Sequence, residues 1–268
     1  MNFYAQTNVQ LFNQLRNEGY ANEEVARIGS LYAFAMRLFT GFYQPSGKPA
    51  IDHLIGTASI LASLHRPVEV VAAGLLHAAY LHGDFGDLRF RRVISHAKRD
   101  QLKQAVGEGV EERIARYTAL LWTRQTIPLI RDHLTELGPI DRDVLVMRLA
   151  NELELHLDLA PLYYRETKNY QQALEQEGPP LIDLADKLGF STLATELART
   201  FREIASGEVP LELRSRSIHF EAYLIPPQSY RQRLPVAIGH QLIRGLDRVR
   251  KLSRKTKKKV RALLPQRA

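Results

Sequence analysis

Apolar residues recur along most of the chain at spacings of three and four, the period of one face of an α-helix, and strict apolar–polar alternation is nearly absent. This pattern predicts helices over 6–18, 22–41, 51–65, 67–81, 88–105, 109–123, 125–137, 140–168, 180–188 and 191–206. Punctuation residues fall at several of the ends: Gly41, the Pro45-Ser46-Gly47 turn, Arg66-Pro67, Gly83, Gly138-Pro139, Gly178-Pro179-Pro180 and Gly207. Pro67 suits the first turn of a helix, where its missing N–H costs nothing. Pro161 kinks the 140–168 pattern or ends it near Ala160. Residues 207–240 differ in character. Pro210, Pro226, Pro227 and Pro235 fragment them, and SIHFEAYLI (217–225) is the one stretch that reads as a strand. The expected class is all-α, with a helical domain over 1–206, a proline-rich irregular extension over 207–240 and a tail over 241–268.

Composition narrows the class. At 268 residues and 45% hydrophobic content the chain can bury a sizeable core, and the absence of Cys excludes disulfides, cysteine zinc sites and cysteine nucleophiles. The apolar run Val68–Leu81 is broken by Glu69, Gly74 and His77. It falls short of the roughly 20 residues a bilayer span needs. The first residues lack the basic region and apolar run of a signal peptide, so a cytoplasmic chain is expected. The net charge of +8 is local: residues 241–268 hold eleven Lys/Arg and one Asp, and the rest holds 26 basic and 28 acidic side chains. A near-neutral body gives no reason to expect sequence-specific nucleic-acid binding.

Residues 51–86, IDHLIGTASILASLHRPVEVVAAGLLHAAYLHGDFG, contain His53, His65, His77 and His82, four of the nine histidines. Two helices joined by a tight turn at His65–Pro67 place His53 13 residues before Arg66 and His77 11 after it. At a rise of ~1.5 Å per residue both imidazoles lie roughly 17–20 Å from the turn. An antiparallel hairpin therefore brings them to one level, each on an inward stripe, and Gly74 lets the two backbones approach closely. Two converging histidines are a candidate metal pair, because neutral imidazole is a common metal ligand. The plainer alternative is a pair of core histidines bonded to carbonyls. His65 reads as a solvent-facing helix terminus, and His96, His133, His219 and His240 lack companions.

The chain carries PSGKPAIDH (45–53), AAGLLHAAYLHGD (72–84) and VMRLANELE (146–154) in that order. In this it resembles the HD-domain superfamily of metal-dependent phosphohydrolases, in particular its guanosine tetraphosphate hydrolase branch, over residues 22 to about 165. The resemblance implies an HD-like helical bundle, with His53 and His77 on the family's first two metal-binding histidines. The chain departs from the family at three places: the defining Asp is Ala78, a later acidic pair is Leu81 and His82, and the final metal Asp is Asn151. A degenerate offshoot with HLxGT, AGLLHxxY and AN-E patterns matches His53–Thr57, Ala73–Tyr80 and Ala150–Glu152.

Hard cations such as manganese prefer oxygen ligands. A divalent metal held by His53, His77 and His82, with Asn151 and with Glu152 or Glu154 as carboxylate, is therefore expected to be zinc or iron. His77 and His82 lie about 140° apart on an ideal helix and converge only if the helix ends near Leu81. Otherwise His82 caps the helix C-terminus against its dipole. Lys48, Arg89, Arg91 and Arg92 are candidate contacts for a small phosphorylated substrate, the arginines alternatively forming a solvated helix face. The Pro-Ser-Gly-Lys-Pro turn lacks the spacing of a phosphate-cradling loop.

In the tail, Leu242, Leu246, Val249, Leu252, Val260 and Leu263 or Leu264 keep helical spacing, while Arg and Lys fill the other faces. A basic amphipathic helix suits an anionic membrane surface or another polyanion, and the lack of aromatics among its charges speaks against stacking on single strands. Two functions compete. One is a metal-dependent hydrolase with an altered His-rich pocket. The other is a non-catalytic HD-like scaffold or sensor, tethered by its tail at the inner face of a membrane. Ala78 and Asn151 favour the scaffold, and the clustered histidines put the enzyme slightly ahead.

Overall fold

Thr7 starts the first helix. Its hydroxyl accepts the Gln10 N–H at 3.3 Å, and the Gln10 side-chain oxygen accepts the Thr7 N–H at 3.1 Å. The reciprocal pair satisfies amides that the first helical turn leaves without partners. In the computed structural model that helix, α1 (Asn8–Asn17), is followed by α2 (Asn22–Phe39), the short strand β1 (Phe42–Tyr43), α3 (Ala50–Ser63), α4 (Val68–Leu76) and α5 (Ala79–His82). Next come α6 (His96–Val106), α7 (Glu108–Ala119), α8 (Thr126–Asp132) and α9 (Pro139–Leu157). The last elements are α10 (Thr167–Lys187), α11 (Ser191–Ser206) and β2 (Tyr223–Leu224). The structure describes residues 3–44, 46–86, 94–163, 167–214 and 223–224. The protein is mostly helical, as the three-and-four spacing predicts.

α3 and α4 form the centre. Almost every residue of both helices is buried: α4 is apolar on nearly every face, and α3 buries the polar His53, Thr57 and Ser59 along with its apolar residues. α3 packs on α1, α4 and α9, and α4 packs on α2, α7 and α9. The turn between α3 and α4 needs His65 at a φ of 50°. Tyr20 donates its hydroxyl hydrogen to the Arg66 carbonyl at 2.5 Å, tying the same turn to the end of α1. A Cβ on Gly74 would overlap the Leu61 side chain and lie 3.8 Å from the Ala58 Cα, so the close approach expected at Gly74 is present. Among the described residues, no helix is long and apolar enough to cross a membrane.

Several boundaries differ from the periodicity. The helix expected over 67–81 breaks at His77–Ala78, because the His77 side chain takes the Gly74 carbonyl at 2.7 Å while its backbone N–H reaches the same oxygen at only 3.5 Å. The pattern over 140–168 ends at Leu157, ahead of Pro161, and the chain reverses through Leu159 at a φ of 54°. α10 starts at Thr167 and runs through Pro179 and Pro180, which punctuation places at a boundary. Each proline removes one intrahelical donor, but the carbonyls left over belong to the exposed Glu175 and Gln176, where water can reach them. Gly178, just ahead of them, lets α11 approach: a Cβ there would meet the Phe201 ring at 3.0 Å. β1, unforeseen, pairs antiparallel with β2, the part of the expected 217–225 strand that is described. Arg89, Arg91 and Arg92, most of the extension and the whole tail lie outside the described residues.

Candidate functional site

The site begins in the turn before α3. The Gln44 N–H donates to the Lys48 carbonyl at 2.8 Å and the Gly47 N–H to the Gln44 carbonyl at 2.9 Å, with Gly47 at a φ of 90° that a side chain would strain. Pro49 then caps α3, with Lys48 just ahead of it and His53 on the first turn. α9 presents Glu154 to both. The Lys48 ammonium donates to Glu154 Oε1, and His53 Nδ1 bonds Glu154 Oε2. Gly56 makes room for this acid, since a Cβ there would lie 2.7 Å from the Glu154 Cγ and Oε1. The Glu154 side chain is 1% exposed and the Lys48 side chain 16%.

His77 comes from the end of the other helix of the hairpin, as the residue that caps α4. Its ring centroid lies 5.2 Å from that of His53, edge to face. Because a carbonyl only accepts, the bond to Gly74 fixes the His77 proton on Nδ1 and leaves Nε2 with its lone pair. Tyr117 of α7 packs on His77 at 4.9 Å between centroids, and the Arg148 guanidinium of α9 lies 3.7 Å from the Tyr117 ring centroid. Arg148 Nη2 also donates to the Tyr117 carbonyl at 2.6 Å.

Burial decides most of the electrostatics. It pushes the His77 pKa well below the ordinary imidazole value, with the neighbouring His53, Arg148 and His82 acting in the same direction. Burial opposes ionisation of Glu154, but His53 and Lys48 outweigh it and hold the carboxyl below its usual range. Burial, and Glu154 beside it, raise the pKa of Asp52 against the pull of Lys48. Tyr117 is driven above the ordinary phenol range by burial. At neutral pH the pocket therefore holds an ionised Glu154 and a neutral His77.

Of the residues singled out in the sequence, Lys48 and His53 meet on Glu154, and His77 stands on the far side of His53, its ring 5.2 Å away. Lys48 turns inward onto this carboxylate rather than outward. His82 is exposed at the end of α5, Asn151 is buried one turn before Glu154, and Glu152 points away, its Oε1 accepting the Trp122 indole N–H at 3.0 Å. Tyr117 and Arg148 escaped the sequence reading. Arg148 carried a signal, a charge inside the apolar run Val144–Ala150, whereas Tyr117 on its helix looks like any core aromatic.

The resemblance to HD hydrolases implies a metal, and these donors do not fit a hard divalent cation. Both Glu154 oxygens are engaged by Lys48 and His53, Ala78 and Asn151 bring no negative charge, and two side-chain cations, Lys48 and Arg148, flank the histidines. Among the described residues, no group of three or more His, Asp or Glu is arranged to hold a metal ion. No curated protein matches the chain. One family does, described as a domain of unknown function (DUF6817), over residues 40–121, the stretch that contains Lys48, His53, His77 and Tyr117.

Proposed function

We propose that the chain is an HD-like, non-catalytic scaffold, attached to an anionic membrane surface through its basic residues 241–268. The observation that carries this reading is the closed, charge-compensated pocket. His53, His77 and Glu154 come from the three helices where the family resemblance puts metal and phosphate chemistry, yet each is at most 3% exposed. A hydrolase needs an open coordination position or a general base that substrate can touch. Here the partly exposed groups are Lys48, which is tied to Glu154, Asp52 beside it and Arg148, a cation. The tail supports the second half of the reading through its charge and its apolar stripe.

A hydrolysis assay tests the scaffold directly. The full chain, incubated with guanosine tetraphosphate and simpler phosphate esters in the presence of manganese, zinc or ferrous iron, is expected to release no phosphate or pyrophosphate above background. Turnover that disappears in both His53→Ala and His77→Ala would contradict the scaffold and restore the hydrolase.

A further inference from the structure

We propose that Lys48 is the resident cation of this pocket, filling the role of a divalent metal beside Glu154 and His53 and keeping such a metal out. The inference rests on the metal-free reading above and goes beyond it by naming the residue responsible.

A buried carboxylate needs opposite charge or hydrogen-bond donors, and a bound metal is one way to provide them. Glu154 has neither a metal-type donor shell around it nor solvent. It has the Lys48 ammonium on one oxygen and the His53 imidazole on the other. Lys48 is built into this position. The hydrogen-bonded turn from Gln44 to Lys48, Gly47 at positive φ, and Pro49 at the start of α3 fix its backbone on both sides. Its side chain is mostly covered, unlike a surface lysine that samples solvent. Asp52, half-buried on the first turn of α3, adds a second carboxylate whose charge Lys48 also offsets. A dication entering here would have to displace an ammonium that is covalently tethered. Without that ammonium the Glu154 carboxylate keeps the His53 ring beside it, and the His77 ring lies 5.2 Å from that of His53.

Two measurements on the full chain test the proposal. The first is a cycle of Lys48→Met, Glu154→Gln and the double variant, read as melting temperature. Each single change is expected to lower it by roughly 6–15 °C, because it leaves a buried charge without its partner. The double variant, which buries no charge, is expected to melt well above the sum of the two losses. Additive losses would overturn the role of Lys48 while leaving the scaffold standing. The second measurement is zinc content after dialysis against zinc sulfate. Wild type is expected to retain none and Lys48→Ala to acquire it stoichiometrically, with His53→Ala in the same background abolishing the gain. A folded Lys48→Ala that takes up no zinc overturns the exclusion of metal by Lys48. Stoichiometric zinc on wild type overturns both this proposal and the metal-free pocket.

Discussion

Glu154 is the side chain around which the pocket is arranged, and Gly56 is the residue that admits it. Gly56→Ala puts a methyl group 2.7 Å from the Glu154 side chain. We expect it to cost about 1–3 kcal/mol in urea unfolding, as overpacking does in well-filled cores. His77 gives a prediction in pH. Its folded pKa lies well below the ordinary ~6.5, so below ~6.5 the unfolded chain binds a proton that the folded chain refuses. Stability from this group is fully present above ~6.5 and falls by up to about 1.4 kcal/mol per pH unit below it, down to the folded pKa. Urea unfolding between about pH 7 and pH 5 is expected to show this slope in wild type and to lose it in His77→Gln. His53 and His77 were legible in the sequence because equal distances from a turn put two residues at equal height. The choice between Glu152 and Glu154 was not, since two residues on one helix face opposite sides and only the packing of α9 on α3 says which side is the pocket.

Helix α11 was legible from end to end because its apolar stripe is narrow and Gly207 follows it. α3 was readable for a different reason, as a short, mostly apolar stretch between Pro49 and Pro67. The ends of α4 and α10 depart from the periodicity. In α4 a side chain competes with the backbone for one carbonyl, and in α10 two prolines sit where solvent satisfies what they leave unbonded. Neither effect shows in periodicity. The hairpin of α3 and α4 rests on Gly74, and Gly74→Ala is expected to cost about 1–3 kcal/mol because its methyl group collides with Leu61. Leu61→Ala alone opens a cavity and is expected to cost about 2–5 kcal/mol. The double variant should lose clearly less than the two together, since the new methyl group fills part of the new space. Strictly additive losses would mean that the two helices do not meet at this point.

Charge is distributed over the whole molecule in two parts, a body of 240 residues close to neutral and 28 residues that carry the excess. Removing 241–268 changes the formal charge from +8 to −2. The truncated chain is expected to keep its melting temperature within a few degrees and to lose binding to phosphatidylserine-containing vesicles. In the intact chain that binding should weaken with salt, as attraction between exposed charges requires. Changing Leu246 and Val249 to Asp is expected to weaken vesicle binding as well, by removing the apolar stripe that an inserted helix needs. Unfolding on truncation would instead make 241–268 part of the core. On the proposal above, Lys48 stands in place of a metal beside Glu154 and His53. Elemental analysis of the purified full chain, folded and never exposed to chelator, tests it most directly. The expected result is protein free of zinc, iron and manganese down to substoichiometric levels. Stoichiometric metal that is lost in both His53→Ala and His77→Ala would contradict it.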